Sequence, residues 1–161
     1  MILELYDQHL QQIRDRAEFA YPHECCGLLL GRSNEGEKIL VEVWETENVW
    51  DEESDVKFQL DSDESNCDDR TSFTSERRYT ISPETLLAAQ RYARDRQLEI
   101  VGIYHSHPDH PAVPSECDRQ WAWQHYSYTI ASVMQGKTVD IQSWQLDDDR
   151  QFQPEEIRIN G

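Results

Sequence analysis

Basic residues are scarce: 15 Lys and Arg stand against 32 Asp and Glu, a formal net charge of −17 over 161 residues. So acidic a surface argues against a nucleic-acid backbone or an anionic lipid face as main partner, because both are held by Lys and Arg clusters. A metal ion, a neutral peptide or a protein with a basic rim fits better. Cysteines are few, Cys25, Cys26, Cys67 and Cys117, and no Cys-x-x-Cys occurs, which excludes a zinc ribbon and a thioredoxin motif and leaves reduced thiols as the default. No apolar run approaches the ~18 residues needed to cross a bilayer. The opening MILELYDQHLQQIRDRAEF has neither the basic start nor the apolar stretch of a secretory signal. The expectation is a soluble cytoplasmic protein without membrane or nucleic-acid partners. Apolar residues make up only 37% of the chain, yet its length suffices for one substantial core, so a single domain over 1–161 is expected.

What is present is helical and strand periodicity in alternation. Ile2, Leu5, Tyr6, Leu10, Ile13 and Ala17 fall at helical spacing and predict an amphipathic helix over 2–19, closed before Tyr21-Pro22. CCGLLLG and EKILVEVWE predict a hairpin whose first strand, apolar throughout, is central, with Glu24 just before it. Between Glu45 and Arg78 twelve acidic and four basic residues carry about half the excess charge; this stretch reads as a loop insertion around 45–78, with VKFQL as a short strand inside it. Ser82 and Pro83 suit the N-cap and first turn of a helix through Gln97. LEIVGIYH then reads as a buried strand and PSECDRQWAWQHY as a helix. YTIASVM and KTVDIQSWQLD form a hairpin turning at Gln135-Gly136, and FQPEEIRI a last strand. Helices interleaved with strands predict an α/β fold on a mixed sheet sandwiched by helices.

HSHPDHPAVPSECD, residues 105–118, concentrates the chemistry. Period-two geometry puts His105 and His107 on one face of an extended segment, with Ser106 on the other. Pro108 cannot donate a ladder bond and ends the strand, so both imidazoles stand at its rim. A helix beginning near Ser115 brings Asp118 back toward them. Two imidazole nitrogens and one carboxylate oxygen make a three-ligand zinc site with a position left for solvent. A duller reading of Ser115-x-x-Asp118 is a helix capping box, and one carboxylate oxygen is not expected to serve both ends. His110 and His125 read as loop and surface histidines, and Cys117 should point about 100° away from Asp118 on a helix. Glu24, before a buried strand, is the candidate base for a water at the metal. Asp109 and Glu116 are nearer in sequence but read as solvated.

Glu24, then His105-Ser106-His107-Pro108, six residues, Ser115, two residues and Asp118, resembles without gaps the JAMM motif of the MPN metalloprotease family. The strings YPHECCGLLLG, EIVGIYHSHPDHPAVPSECD and YSYTIASV are similar to its short bacterial branch, and the resemblance runs from about Leu3 to Leu146, leaving out the acidic stretch. It implies an MPN fold similar to that of cytidine deaminases. It implies Zn2+ held by His105, His107 and Asp118, Glu24 as general acid and base, and Ser115 hydrogen-bonding near the developing oxyanion. The implied reaction is hydrolysis of the peptide or isopeptide bond after the C-terminal glycine of a ubiquitin-like partner. For the bacterial branch that partner is a β-grasp sulfur-carrier protein with a Gly-Gly tail, as in cysteine biosynthesis.

The alternative is a non-catalytic MPN binding module for such a partner, since some family members keep the fold after losing the ligands; this chain retains them all. A zinc deaminase would need H-x-E and P-C-x-x-C, and an H-E-x-x-H protease a histidine four positions after His23; none is present.

Overall fold

The computed structural model describes residues 1–48 and 81–160. Among the described residues seven strands and three helices follow in the order β1 (Ile2–Tyr6), α1 (Asp7–Ala20), β2 (Cys26–Asn34), β3 (Glu37–Thr46), α2 (Pro83–Asp95), β4 (Glu99–Pro108), α3 (Glu116–Trp121), β5 (Ser127–Met134), β6 (Lys137–Leu146) and β7 (Phe152–Asn160). The strands close into a barrel in the order β1-β3-β2-β4-β5-β6-β7. β1 pairs in parallel with both β3 and β7, β4 in parallel with β5, and the remaining pairs are antiparallel, so the sheet is mixed as expected. Among the described residues no helix is long and apolar enough to cross a membrane.

The two hairpins turn where the sequence indicates. Glu35-Gly36 and Gln135-Gly136 take φ of 44°, 84° and 52°, 85°, the left-handed pair that matches the twist of the flanking strands. β2 is buried from Cys26 through Gly31 because both faces are covered. Leu29 joins Val43, Val101 and Val133 with Ile13 and Ala17 of α1 on one side. Leu28 and Leu30 meet Ile100 and Ala89 and Ala93 of α2 on the other. Each such leucine, fully buried, contributes about 1.5–3 kcal/mol. Gly27 lies against the Tyr104 ring so closely that an added methyl would stand 2.2 Å from it. Inside the barrel Lys38 donates to Ser127 Oγ at 2.9 Å and to Gln145 Oε1 at 3.2 Å, and its ammonium lies 3.7 Å from Glu155. Ser127 and Ser143 donate to the two Glu155 oxygens, so this buried pair has its hydrogen bonds supplied.

Two expectations need correction. Residues 2–6 are a strand, not the start of the first helix: Leu3 and Leu5 are buried while Ile2 and Glu4 are half-buried. That alternation is paid back only by pairing with β3 and β7, distant in sequence, whereas Ile2, Leu5 and Tyr6 also satisfy a helical period locally. The helix expected over PSECDRQWAWQHY is only Glu116–Trp121. It stops because Arg150 Nη2 collects the carbonyls of Arg119 and Ala122 at 3.0 and 3.2 Å, while the Trp123 N–H donates to the Tyr128 hydroxyl at 2.7 Å. The insertion expected around 45–78 and its strand Val56–Leu60 lie outside the described residues, apart from Glu45–Asn48. Of these, Glu45 and Thr46 end β3.

Candidate metal centre

β4 carries His105 and His107 to its outer end, on the side of Ile103, and Pro108 is its last residue. The Val101 position is a bulge: Leu29 pairs with Gly102 and Leu30 with Ile100, so one extra residue on β4 sets which face the later side chains take. Burial is complete at His105 and nearly so at His107 and Glu24, 0%, 8% and 5% exposed. Ligand atoms of Glu24, His105 and His107 all lie within 4.8 Å of one another. Asp118, in the first turn of α3, brings its Oδ2 to 3.3 Å from His105 Nε2 and 3.2 Å from His107 Nε2, and the two Nε2 atoms are 3.1 Å apart.

That triangle fits a cation. Donors at zinc-ligand length around a tetrahedral ion stand roughly 3.3 Å from each other. The proton positions point the same way. His107 Nδ1 donates to the Pro111 carbonyl at 2.9 Å, which leaves the lone pair on Nε2, aimed at an Asp118 carboxylate oxygen. Two electron-rich atoms at that distance repel unless a positive centre, a proton or a metal ion, lies between them. The titration directions express the same field. Burial pulls the His105 pKa down. Burial also pulls at His107, but the hydrogen bond and charge of Asp118 outweigh it and raise that pKa. Asp118 is resisted by burial too, yet the two imidazoles hold its carboxyl well below the usual range.

The loop between the ligand candidates is fixed carbonyl by carbonyl. Ser132 Oγ donates to the carbonyl of His110, His107 to that of Pro111, and Trp144 Nε1 to that of Ala112. Asp109, expected to be solvated, is exposed but bonded: its carboxylate accepts from the Tyr21 hydroxyl at 2.6 Å and the Gln135 N–H at 2.8 Å. At the start of α3 a capping box does form. The Asp118 N–H donates to Ser115 Oγ at 3.0 Å and the Ser115 N–H to Asp118 Oδ2 at 2.8 Å. The oxygen that faces the histidines is therefore the one that closes the box, contrary to the expectation that one oxygen could not serve both. A carboxylate oxygen has two lone-pair directions, and the short helix presents one inward and one to its own backbone. His110 and His125 are exposed, as expected, and Glu116 pairs with Arg119 at the surface. The contacts missed by the sequence reading are the Pro111 carbonyl, Trp144 and Arg150. A proline carbonyl four residues after a histidine gives no signal of its own, and the other two come from distant strands.

Residues 7–147 match the family described as prokaryotic homologs of the JAB domain. The chain belongs to the MPN/JAB (JAMM) family. Desampylase of Haloferax volcanii is 33% identical to it over 127 residues, 78% of this chain and 74% of that protein. A protein from Desulfitobacterium hafniense, solved in solution, is 26% identical with a TM-score of 0.74, covering 98% of this chain and 92% of the other. A JAB1/MPN domain protein from Archaeoglobus fulgidus, 14% identical, shares the fold with a TM-score of 0.56 over 99% and 97% of the two chains. The JAMM chain thus has the family's mixed, closed sheet and a buried Glu24, His105 and His107 cluster able to hold a metal.

Proposed function

We propose that this protein is a zinc metallopeptidase that hydrolyses the peptide or isopeptide bond after the C-terminal glycine of a ubiquitin-like, β-grasp sulfur-carrier protein, the whole chain acting as one JAMM domain with an acidic insertion around 45–78. The observation that carries the reading is the triangle of His105 Nε2, His107 Nε2 and Asp118 Oδ2, with edges of 3.1, 3.2 and 3.3 Å and Glu24 buried beside it. His105, His107 and Asp118 would hold the ion. When bound, a divalent cation supplies Lewis-acid chemistry, polarising the scissile carbonyl and bringing the pKa of a water toward ~7. Glu24 would take the proton of the attacking water and pass it to the leaving nitrogen. The His107 Nδ1–H bond to the Pro111 carbonyl holds the ring in the tautomer whose Nε2 faces the centre.

Ser115 has a second part. Its oxygen accepts from the Asp118 N–H, which leaves the hydroxyl hydrogen free to point toward a carbonyl oxygen whose charge grows during attack. The similarity to Desampylase supports a substrate of the ubiquitin-like class, and a Gly-Gly tail suits a narrow approach because glycine lets backbone lie close to the reacting atoms. The test is incubation of zinc-loaded protein with β-grasp carriers bearing C-terminal extensions, read by intact mass, with Glu24→Gln as control. Cleavage after the terminal glycine that disappears in Glu24→Gln is expected; metal-loaded protein that leaves every such carrier intact would refute it.

A further inference from the structure

The peptide unit joining Glu24 to Cys25 is held at both ends by side chains from elsewhere in the chain, one on β4 and one just past β3. Its N–H, on Cys25, donates to Ser106 Oγ at 2.8 Å. Its carbonyl, on Glu24, accepts from Asn48 Nδ2 at 3.1 Å. The β2–β4 ladder pairs Cys26 with His105, and one step further out the Ser106 N–H still donates to the Cys25 carbonyl at 3.1 Å. The return bond, however, goes to the serine hydroxyl and not to the main-chain carbonyl. The strands therefore part company at this point under control of a side chain, and the chain that carries Glu24 leaves the sheet in a direction the hydroxyl sets. Ser106 is fully buried and lies on the face of β4 opposite the two histidines, so it neither ligates nor touches the reacting atoms.

We propose that Ser106 and Asn48 are positioning residues that aim the Glu24 carboxylate at the metal centre by fixing the Glu24–Cys25 peptide plane. A plane whose donor and acceptor are both engaged cannot turn about the Glu24 Cα–C or Cys25 N–Cα bonds without breaking one of them. Its orientation fixes the position of the Glu24 Cα and the line of its Cα–C bond, about which Cβ can only swing, and so narrows where the carboxylate stands. Ser106 places this peptide from the very strand that bears His105 and His107, so the base and the ligand candidates share one ruler. Asn48 does so from just past the end of β3. The inference rests on Glu24 being the proton-transfer group.

The test compares crystal structures of the zinc-loaded protein as wild type, Ser106→Ala, Ser106→Thr and Asn48→Ala, together with kcat, KM and zinc Kd. In both alanine variants the Glu24 carboxylate should be displaced or spread over several positions while the imidazoles stay in place; Ser106→Thr, which keeps a hydroxyl, should restore it. A misplacement of this kind lowers kcat about 10- to 100-fold, with KM and zinc Kd unchanged. Ser106→Ala introduced into Glu24→Gln should add no further loss, because it acts through Glu24. Glu24 standing unmoved in both alanine variants, or a full additional loss in the Glu24→Gln background, would overturn the proposal. Should Ser106→Ala not fold, Asn48→Ala, at a half-buried position, carries the same comparison. A wild-type protein that cleaves nothing would refute the functional reading alone, since the position of Glu24 still decides the clamp.

Discussion

Ser115 is both the N-cap of α3 and, in the proposed reaction, a donor to the oxyanion, and the two parts separate in a pair of substitutions. Ser115→Ala removes the oxygen that accepts the Asp118 N–H at 3.0 Å. Loss of a serine cap to alanine costs about 1 kcal/mol, whereas glycine at an N-cap is worse than serine by only a few tenths. For a chain of this size 1 kcal/mol corresponds to about 2–4 °C in Tm. α3 has only six residues, and its first turn carries Asp118 against both imidazoles, so the alanine variant should also weaken zinc binding modestly. Removing an oxyanion donor, by contrast, lowers kcat about 10²- to 10³-fold. Ser115→Gly, which lacks the same oxygen but suits an N-cap backbone, should therefore lose only a few tenths of a kcal/mol in stability, and less zinc affinity than Ser115→Ala, yet lose as much kcat. Thermal unfolding, zinc competition titration and steady-state cleavage of an extended carrier measure the three quantities. A glycine variant with near wild-type kcat would refute the donor role and leave Ser115 as a cap alone.

Three further outcomes are expected. Because the hydrogen bond and charge of Asp118 outweigh burial and raise the His107 pKa in the metal-free protein, zinc competes with a proton at this imidazole. Affinity should fall by about tenfold per pH unit as pH drops below the His107 value and level off above it; calorimetry in buffers of different ionisation enthalpy would show the released proton, and a break below 6.5 would contradict the assignment. Among the described residues the buried Tyr104 hydroxyl finds no hydrogen-bond partner, and burial raises its pKa, so Tyr104→Phe should stabilise the protein by about 1 kcal/mol in chemical denaturation; a loss of stability would show that the hydroxyl is satisfied. Glu155→Leu strands the Lys38 ammonium, whose pKa burial already lowers, and should cost about 3–5 kcal/mol, while Lys38→Met with Glu155→Leu should recover most of it. Equal losses in single and double variants would mean that the pair does not act as a unit.

The parts of the molecule that were legible in sequence are those governed by short-range physics. Ser82 accepts from the Thr85 N–H as a cap should, and Glu35-Gly36 and Gln135-Gly136 turn where a left-handed pair is tolerated. His105 and His107 share a face because residues two apart on a strand do. Long-range pairing was not legible. Nothing local distinguishes Ile2–Tyr6 as a strand, since its partners β3 and β7 lie far along the chain. Closure of the barrel follows from that same pairing and was equally hidden. The burial of Lys38 belongs to the same class, since only the approach of Glu155 from β7 makes it tolerable. At the site, the strand period places Ser106 on the face away from His105 and His107, but its partner across the sheet depended on where Cys25 falls in the register.

The most direct measurement is zinc K-edge X-ray absorption on the loaded protein, paired with an anomalous-scattering map of its crystals. Two imidazole nitrogens and oxygen ligands near ~2.0 Å, with the ion between His105 Nε2, His107 Nε2 and Asp118 Oδ2, are expected. Sulfur at ~2.3 Å, or an ion bound away from the rim of β4, would contradict the metal centre on which the proposed hydrolysis depends.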